Sequence, residues 1–397
     1  MTHLRKLLLK RRAILLGILL SKQYGRARRG PTRSFLKTRK KYGEYWTLFH
    51  QLRRDDDKFF EYVRMKQSTF DNLLSKVAPL LQGERTTSTT IAPEEMLVIT
   101  LRFLATGSSY RTLQFNFRIG VSTIGSVIRR TCRAVTKCLY GNVKLPGTPE
   151  EWLEISRMFE EKWNFPMVLG AIDGKHVKLK KPPLSGSCFY NYKGSFSIVL
   201  MAVCDARYRF IFYSVGNLGH VHDSHAFQNS PFGRKLLCGS LRLPNDAALP
   251  NTNQQVPYFF LGDGAFPLSE HLMQPYAGAT SAMRTTFNSR LSRARRVIEN
   301  AFGILASRWR VLLNMIEADV KLADHIVRTT IHLHNFLSEQ EPFDFIARIP
   351  EVHQVQQLAP MLLDPTPAND RSQEIREVIA RYFQEQGLLP RQGSHHR

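Results

Sequence analysis

The chain has 397 residues, 43% of them hydrophobic and 22% charged, an ordinary globular balance that excludes wholesale disorder. Lysine and arginine number 56 against 33 acidic residues, a net charge of +23 that calls for a polyanionic partner, nucleic acid or an anionic membrane face. The five cysteines (Cys132, Cys138, Cys188, Cys204, Cys238) are scattered without a CxxC pair, which argues against a zinc knuckle or a disulfide framework and for a reducing compartment.

Residues 1–43 hold 14 basic residues and no acid; the remainder carries 42 basic against 33 acidic residues. The apolar run AILLGILL (13–20) follows Arg5, Lys6, Lys10, Arg11 and Arg12 in the manner of a secretory signal. It is far shorter than the ~20 residues that span a bilayer, and no small-residue cleavage site follows it. The acid-free start also has the character of a mitochondrial transit peptide, though it is poor in serine. RARRGPTRSFLKTRKK (26–41) reads as a basic arm for nuclear import or phosphate contact, and 1–43 as an arm without fixed structure. The nucleus is the expected compartment, with the cytoplasm second.

Residues 44–145 read as helical. KQSTFDNLLSKVAPLL (66–81) is amphipathic, with a cap expected near Ser68, and Pro93 with Glu94 and Glu95 suits a first turn. The stretch 96–139 divides into three helices at Gly107 and Gly120, with Ser122 as the expected cap of the last. A short helix, a glycine turn and a helix bearing Arg129, Arg130 and Arg133 fit a helix-turn-helix that contacts DNA. A helical packing domain preceding the core is the alternative.

From 160 to 340 the periodicity changes. FPMVLGAID (165–173), FSIVLMAVCD (196–205), RFIFYSVG (209–216) and PYFFLGD (257–263) are short apolar runs expected as buried strands, and VKLKKP (177–182) as an additional edge strand. The turn-rich 241–255 reads as a surface insertion. A long helix is expected from Ser289 to Trp309, burying Ile298, Phe302, Leu305 and Trp309, and another over 322–337. Residues 341–397 form a weakly patterned tail with one helical stretch at 372–386.

Four carboxylates stand out by position. Asp173 and Asp263 end strands and each precedes a glycine; Asp223 lies in the loop GHVHDSHAF; Glu299 lies on the long helix at the edge of its buried stripe. Ligands of open sheets gather at the carboxyl ends of strands. Convergent carboxylates repel one another unless a cation neutralises them, and hard oxygen donors select Mg²⁺ or Mn²⁺. Two such ions can activate water and stabilise the leaving oxygen in phosphodiester cleavage. Read singly, each is as readily a turn residue or an ion-pair partner.

Arg295 stands four residues before Glu299, where it can pair with it, and Arg295 and Arg296 can equally clamp a phosphate. Lys193, in NYKGS, is a candidate for DNA backbone contact. His220, His222, Asp223 and His225 form an HxHDxH cluster, but the loop is short and without a nearby cysteine, which disfavours zinc. His176 is as much a structural hydrogen-bonding group as a site residue, and Asp205 reads as a hairpin turn.

The segments FPMVLGAIDGKH (165–176), 190–227, YFFLGDGAFPL (258–268) and FNSRLSRARRVIENAFGILASRWRV (287–311) resemble, in order, the PIF/Harbinger transposase-derived nuclease family. RTLQFNFRIGVSTIGSVI resembles its helix-turn-helix and HNFL (334–337) its closing helix. The resemblance implies an α/β ribonuclease-H-like core, a mixed sheet flanked by helices, behind an all-α helix-turn-helix region. It also implies a divalent-metal DDE site with catalytic Asp173, Asp263 and Glu299, and Asp223 as a further metal ligand. DNA would be the substrate, a Myb-like protein a targeting partner and a second copy of the chain a further one, with no membrane partner. The alternative is a domesticated protein that binds DNA without cutting it.

Overall fold

The computed structural model describes residues 34–82, 90–221, 223–278, 281–342, 345 and 370–385. Helix α1 (Gln67–Leu81) starts at Lys66 without a side-chain cap, so the cap expected near Ser68 is not used. Glu341, remote in sequence, accepts the Lys66 N–H at 2.7 Å instead. A tertiary contact here replaces the local cap.

Helix α2 (Pro93–Thr106) opens on Pro93 with Glu94 and Glu95 in its first turn, and closes at Gly107, whose φ of 67° suits a residue without a Cβ. The Ser109 hydroxyl accepts the Thr112 N–H and starts α3 (Tyr110–Phe117). Helix α4 (Val121–Cys138) is capped by Gly120, not by Ser122, which falls inside the helix. Ile124, Val127, Ile128, Cys132 and Val135 form its buried face. The expectation of an unstructured arm through residue 43 is corrected in part. Short helices Ser34–Lys37 and Arg39–Tyr42 pack on the body, because the Arg118 guanidinium lies 4.6 Å from the Phe35 ring and donates to Thr38, and Arg39 pairs with the buried Glu95. Residues 1–33, the rest of the arm, lie outside the described residues.

After α5 (Pro149–Trp163) come β1 (Val168–Lys178), β2 (Ser197–Cys204), β3 (Phe210–Leu218), α6 (Asp223–Asn229), β4 (Phe259–Leu261) and β5 (Leu272–Met273). They form a five-stranded mixed sheet ordered β3-β2-β1-β4-β5, with β1, β2 and β3 antiparallel and β4 and β5 parallel to β1. Flanked by helices, this is the ribonuclease-H-like arrangement. The separate edge strand expected at 177–182 does not exist. The chain stays paired with β2 through Lys178, so Val177 and Lys178 are the end of β1. The 241–255 segment is more than a surface insertion: it holds a two-stranded ribbon (Ala247–Ala248 with Gln255–Val256) and a buried Leu249.

Helix α7 (Ala282–Arg308) starts seven residues before the expected Ser289, because the Ser281 hydroxyl caps it through the Arg284 N–H. It buries Ile298, Phe302 and Leu305 beneath a buried Trp309. Helix α8 (Val320–Gln340) packs on β3 and on α4, where the Thr329 hydroxyl donates to the Cys132 carbonyl at 3.1 Å. Helix α9 (Asp370–Glu385) returns the chain to α7, with Phe383 edge-on to Phe165 at 4.7 Å. One hydrophobic core runs from Tyr45 to Phe383, so the helical region shares its interior with the sheet. Among the described residues no helix is long and apolar enough to cross a membrane.

Candidate active site

The parallel ladder between β1 and β4 pairs the strands that lead into two of the carboxylates. Ala171 of β1 pairs with Leu261 of β4, the last pair of the ladder. Asp173 and Asp263 each follow that pair by two residues, Asp173 still within β1 and Asp263 in the turn beyond β4. The chain after Leu261 turns out of the sheet through GDGAF. The Asp263 side chain accepts the Ala265 N–H at 2.9 Å and its carbonyl accepts the Phe266 N–H at 3.2 Å, a turn pinned by buried Phe266. Asp173 accepts the Gly174 N–H at 2.8 Å. β4 ends at Leu261 while β1 continues to Lys178, so the two aspartates stand on the ledge where one strand stops and its neighbour runs on.

Helix α7 lies over β1 and contributes the third carboxylate. Arg295 hydrogen-bonds Glu299 one turn along and reaches Asp173 with its other terminal nitrogen at 3.7 Å. One guanidinium therefore ties Asp173 and Glu299 together, and the three side chains are only 16–18% exposed. The sequence shows the Arg295–Glu299 spacing but not the reach to Asp173, which depends on helix placement. Among the described residues no three His, Cys, Asp or Glu side chains converge closely enough to hold one ion. The cation between Asp173 and Glu299 is an arginine. As hard oxygen donors under low exposure around a position that already holds positive charge, these residues have the chemistry for Mg²⁺ or Mn²⁺.

Lys175, two residues from Asp173 on the same face, points its ammonium at the Phe302 ring at 5.8 Å. Burial pushes its pKa down and the Asp173 charge pulls it back up. His176 faces the other way and hydrogen-bonds the Ser197 hydroxyl at 2.9 Å. Burial, aided by the Lys193 charge, pushes its pKa down to about 4, so it is a neutral structural group. Asp205 accepts the Arg207 and Arg209 N–H groups in the β2–β3 hairpin, the turn role read from its position.

The remaining candidates are dispersed. Asp223 begins α6, and its side chain lies outside the described residues, as does His222. His220 bonds the Cys188 carbonyl at 2.7 Å, and His225 is exposed. Arg296 and Lys193 are exposed, with the Lys193 ammonium 5.3 Å from the Tyr192 ring. Arg129, half-buried, pairs with Asp319 at 2.5 Å, and Arg130 donates to the Leu81 carbonyl at 3.1 Å, while Arg130 and Arg133 are both exposed. At the start of α4, Val121, Ser122, Thr123 and Ser126 are also exposed.

Residues 172–335 match the DDE superfamily endonuclease family, a span that contains Asp173, Asp223, Asp263 and Glu299. Protein ALP1-like of Arabidopsis thaliana is 27% identical over 72% of this chain and 72% of its own length. Antagonist of Like Heterochromatin Protein 1, from the same plant, is 25% identical over 71% and 73%. HARBI1 of Homo sapiens, a nuclease by name, is 24% identical over 64% and 69%. No solved structure matches the chain.

Proposed function

We propose that this chain, which matches the DDE superfamily endonuclease family over residues 172–335, is a Harbinger-derived nuclease that cuts DNA by metal-assisted phosphodiester hydrolysis at Asp173, Asp263 and Glu299. The observation that supports the reading most is Arg295, which pairs with both Asp173 and Glu299, beside the Ala171–Leu261 pairing of β1 and β4 two residues before Asp173 and Asp263. Asp173 on β1, Asp263 in the turn after β4, Glu299 on the helix and Asp223 at the start of α6 are the residues that would hold the ion. Mg²⁺ or Mn²⁺, when bound, supplies charge for the scissile phosphate and a lowered pKa for the attacking water. Arg295, released from the carboxylates, has a non-bridging phosphate oxygen as its natural new partner, because guanidinium and phosphate match in geometry. Exposed Arg296 and Arg133, the start of α4 and the basic N-terminal segment extend the contact along DNA, and the nucleus is the compartment such a substrate requires. A Myb-like partner and a second copy of the chain remain part of the proposal for target selection.

The purified chain, incubated with DNA and Mg²⁺ or Mn²⁺, is expected to produce nicks or breaks that EDTA abolishes. The second reading, a DNA binder that does not cut, draws on Arg295, which already neutralises two of the carboxylates, and on a relative named for antagonism of a heterochromatin protein. Salt-sensitive DNA binding without any cleavage in either metal would favour it.

A further inference from the structure

The connection between β1 and β2 is built as a rigid display. Asn191, only 3% exposed, accepts the Lys193 and Ser195 N–H groups with its side-chain oxygen and donates its amide to the Ser197 hydroxyl at 2.7 Å. Gly194, at φ 74°, completes the turn in a conformation that side chains resist. On either side of this buried asparagine stand two tyrosines that the fold does not bury: Tyr190 is 46% and Tyr192 62% exposed. Each is steadied from below by an edge-on ring, Tyr190 by Phe196 at 5.2 Å and Tyr192 by His176 at 5.5 Å. An anchored turn holding exposed aromatics loses little freedom when something stacks on them.

Its charge and place identify what stacks. Residues 174–204 contain five lysines and no acidic residue. Of these, Lys178, Lys180, Lys181 and Lys193 are exposed. The β1–β2 hairpin is the part of the sheet that projects past the end of β4, beyond the ledge of Asp173 and Asp263. Tyr192 rests on His176, three residues along β1 from Asp173, about 10 Å along the strand at ~3.3 Å per residue, and on the opposite face of the sheet. In an intact duplex base faces are already stacked on their neighbours, so a fixed aromatic ring finds a free face only on unpaired nucleotides. Rings with lysines beside them are the combination that binds single strands.

We propose that the turn Tyr190–Ser195 is a binding subsite for unpaired DNA nucleotides that pass the projecting end of the β1–β2 hairpin, with Tyr192 stacking on a base and Lys193 on the adjoining phosphate. This rests on the reading of the carboxylates as a DNA-cutting site, and its test is made in EDTA so that it is read apart from cleavage. Fluorescence anisotropy of the full chain is measured with a blunt duplex and with the same duplex carrying short unpaired thymidine tails. The wild type is expected to prefer the tailed duplex by about tenfold, the scale of one base–aromatic stack. Tyr192→Ala removes that preference while leaving blunt-duplex affinity unchanged, and Tyr192→Phe keeps it. A 2-aminopurine base in the tail is quenched by wild type and not by Tyr192→Ala. Equal binding of both duplexes by the wild type, or a preference that survives Tyr192→Ala, overturns the subsite and leaves the exposed tyrosines to a protein partner. Failure to bind either duplex overturns the nuclease reading along with it.

Discussion

Replacing Arg295 by glutamine removes the guanidinium that pairs with both Asp173 and Glu299. Two like charges bridged by one guanidinium, taken at ~6 Å, repel by about 3 kcal/mol at an effective dielectric of ~20. The lost charge-assisted hydrogen bond adds about 1.5–3 kcal/mol. The sum is about 4.5–6 kcal/mol, which the one-sixth exposure of the side chains and local relaxation trim toward the ~3–5 kcal/mol usual for breaking a buried pair. For a chain of this size the melting temperature should fall by roughly 6–10 °C in EDTA at neutral pH. Mg²⁺ at matched ionic strength should return part of that loss in Arg295→Gln and raise the wild type by less, since only the variant lacks the guanidinium that occupies the same carboxylates. Thermal unfolding followed by circular dichroism reads both. A variant that melts with the wild type in EDTA, or gains no more from Mg²⁺, would refute the crowding of these carboxylates.

His334 is buried against Phe210 and Phe345, donates to the Tyr208 carbonyl at 2.8 Å, and has its pKa pushed down from 6.5 to about 3 by burial. Its depressed folded pKa means stability is full above pH 6.5 and falls as pH drops toward 3, because only the unfolded chain takes up the proton in that window. His334→Gln should therefore lose less stability than the wild type between pH 7 and pH 4 in paired thermal melts, and parallel losses would contradict this. Deleting residues 1–33, which carry ten basic residues, should flatten the salt dependence of DNA binding by about 0.9 in log K per log salt for each phosphate contact removed. A slope unchanged by the deletion would assign that segment to import or to a protein partner.

Four of the five strands were legible as short, mainly apolar runs, while the two-residue β5 and the pairing of β1 with β4 are set by tertiary contacts. The Arg295–Glu299 pair was legible as a one-turn spacing. What composition did not reveal is set by tertiary contacts. Glu341 starts α1 in place of Ser68, and the arginine that would have looked free on α4, Arg129, is held by Asp319 from the start of α8. Phe35 and Arg39 belong to the body because Arg118 and Glu95 lie beneath them. Nor did the spacing of NYKGS show that Asn191 is buried and that its two tyrosine neighbours are left in solvent. Charge density marked the basic segment, but only packing shows where it joins the fold.

The carboxylate site is tested most directly by Asp263→Asn. The exchange keeps the side chain's size and its acceptance of the Ala265 N–H while removing the charge that holds a hard cation. Single-turnover cleavage of DNA in Mg²⁺ or Mn²⁺ should fall by about two or more orders of magnitude, since the reaction rests on metal-stabilised charge. DNA affinity in EDTA should stay at the wild-type value. An Asp263→Asn protein that cuts at the wild-type rate would make Asp263 a turn residue and contradict the assignment of the site.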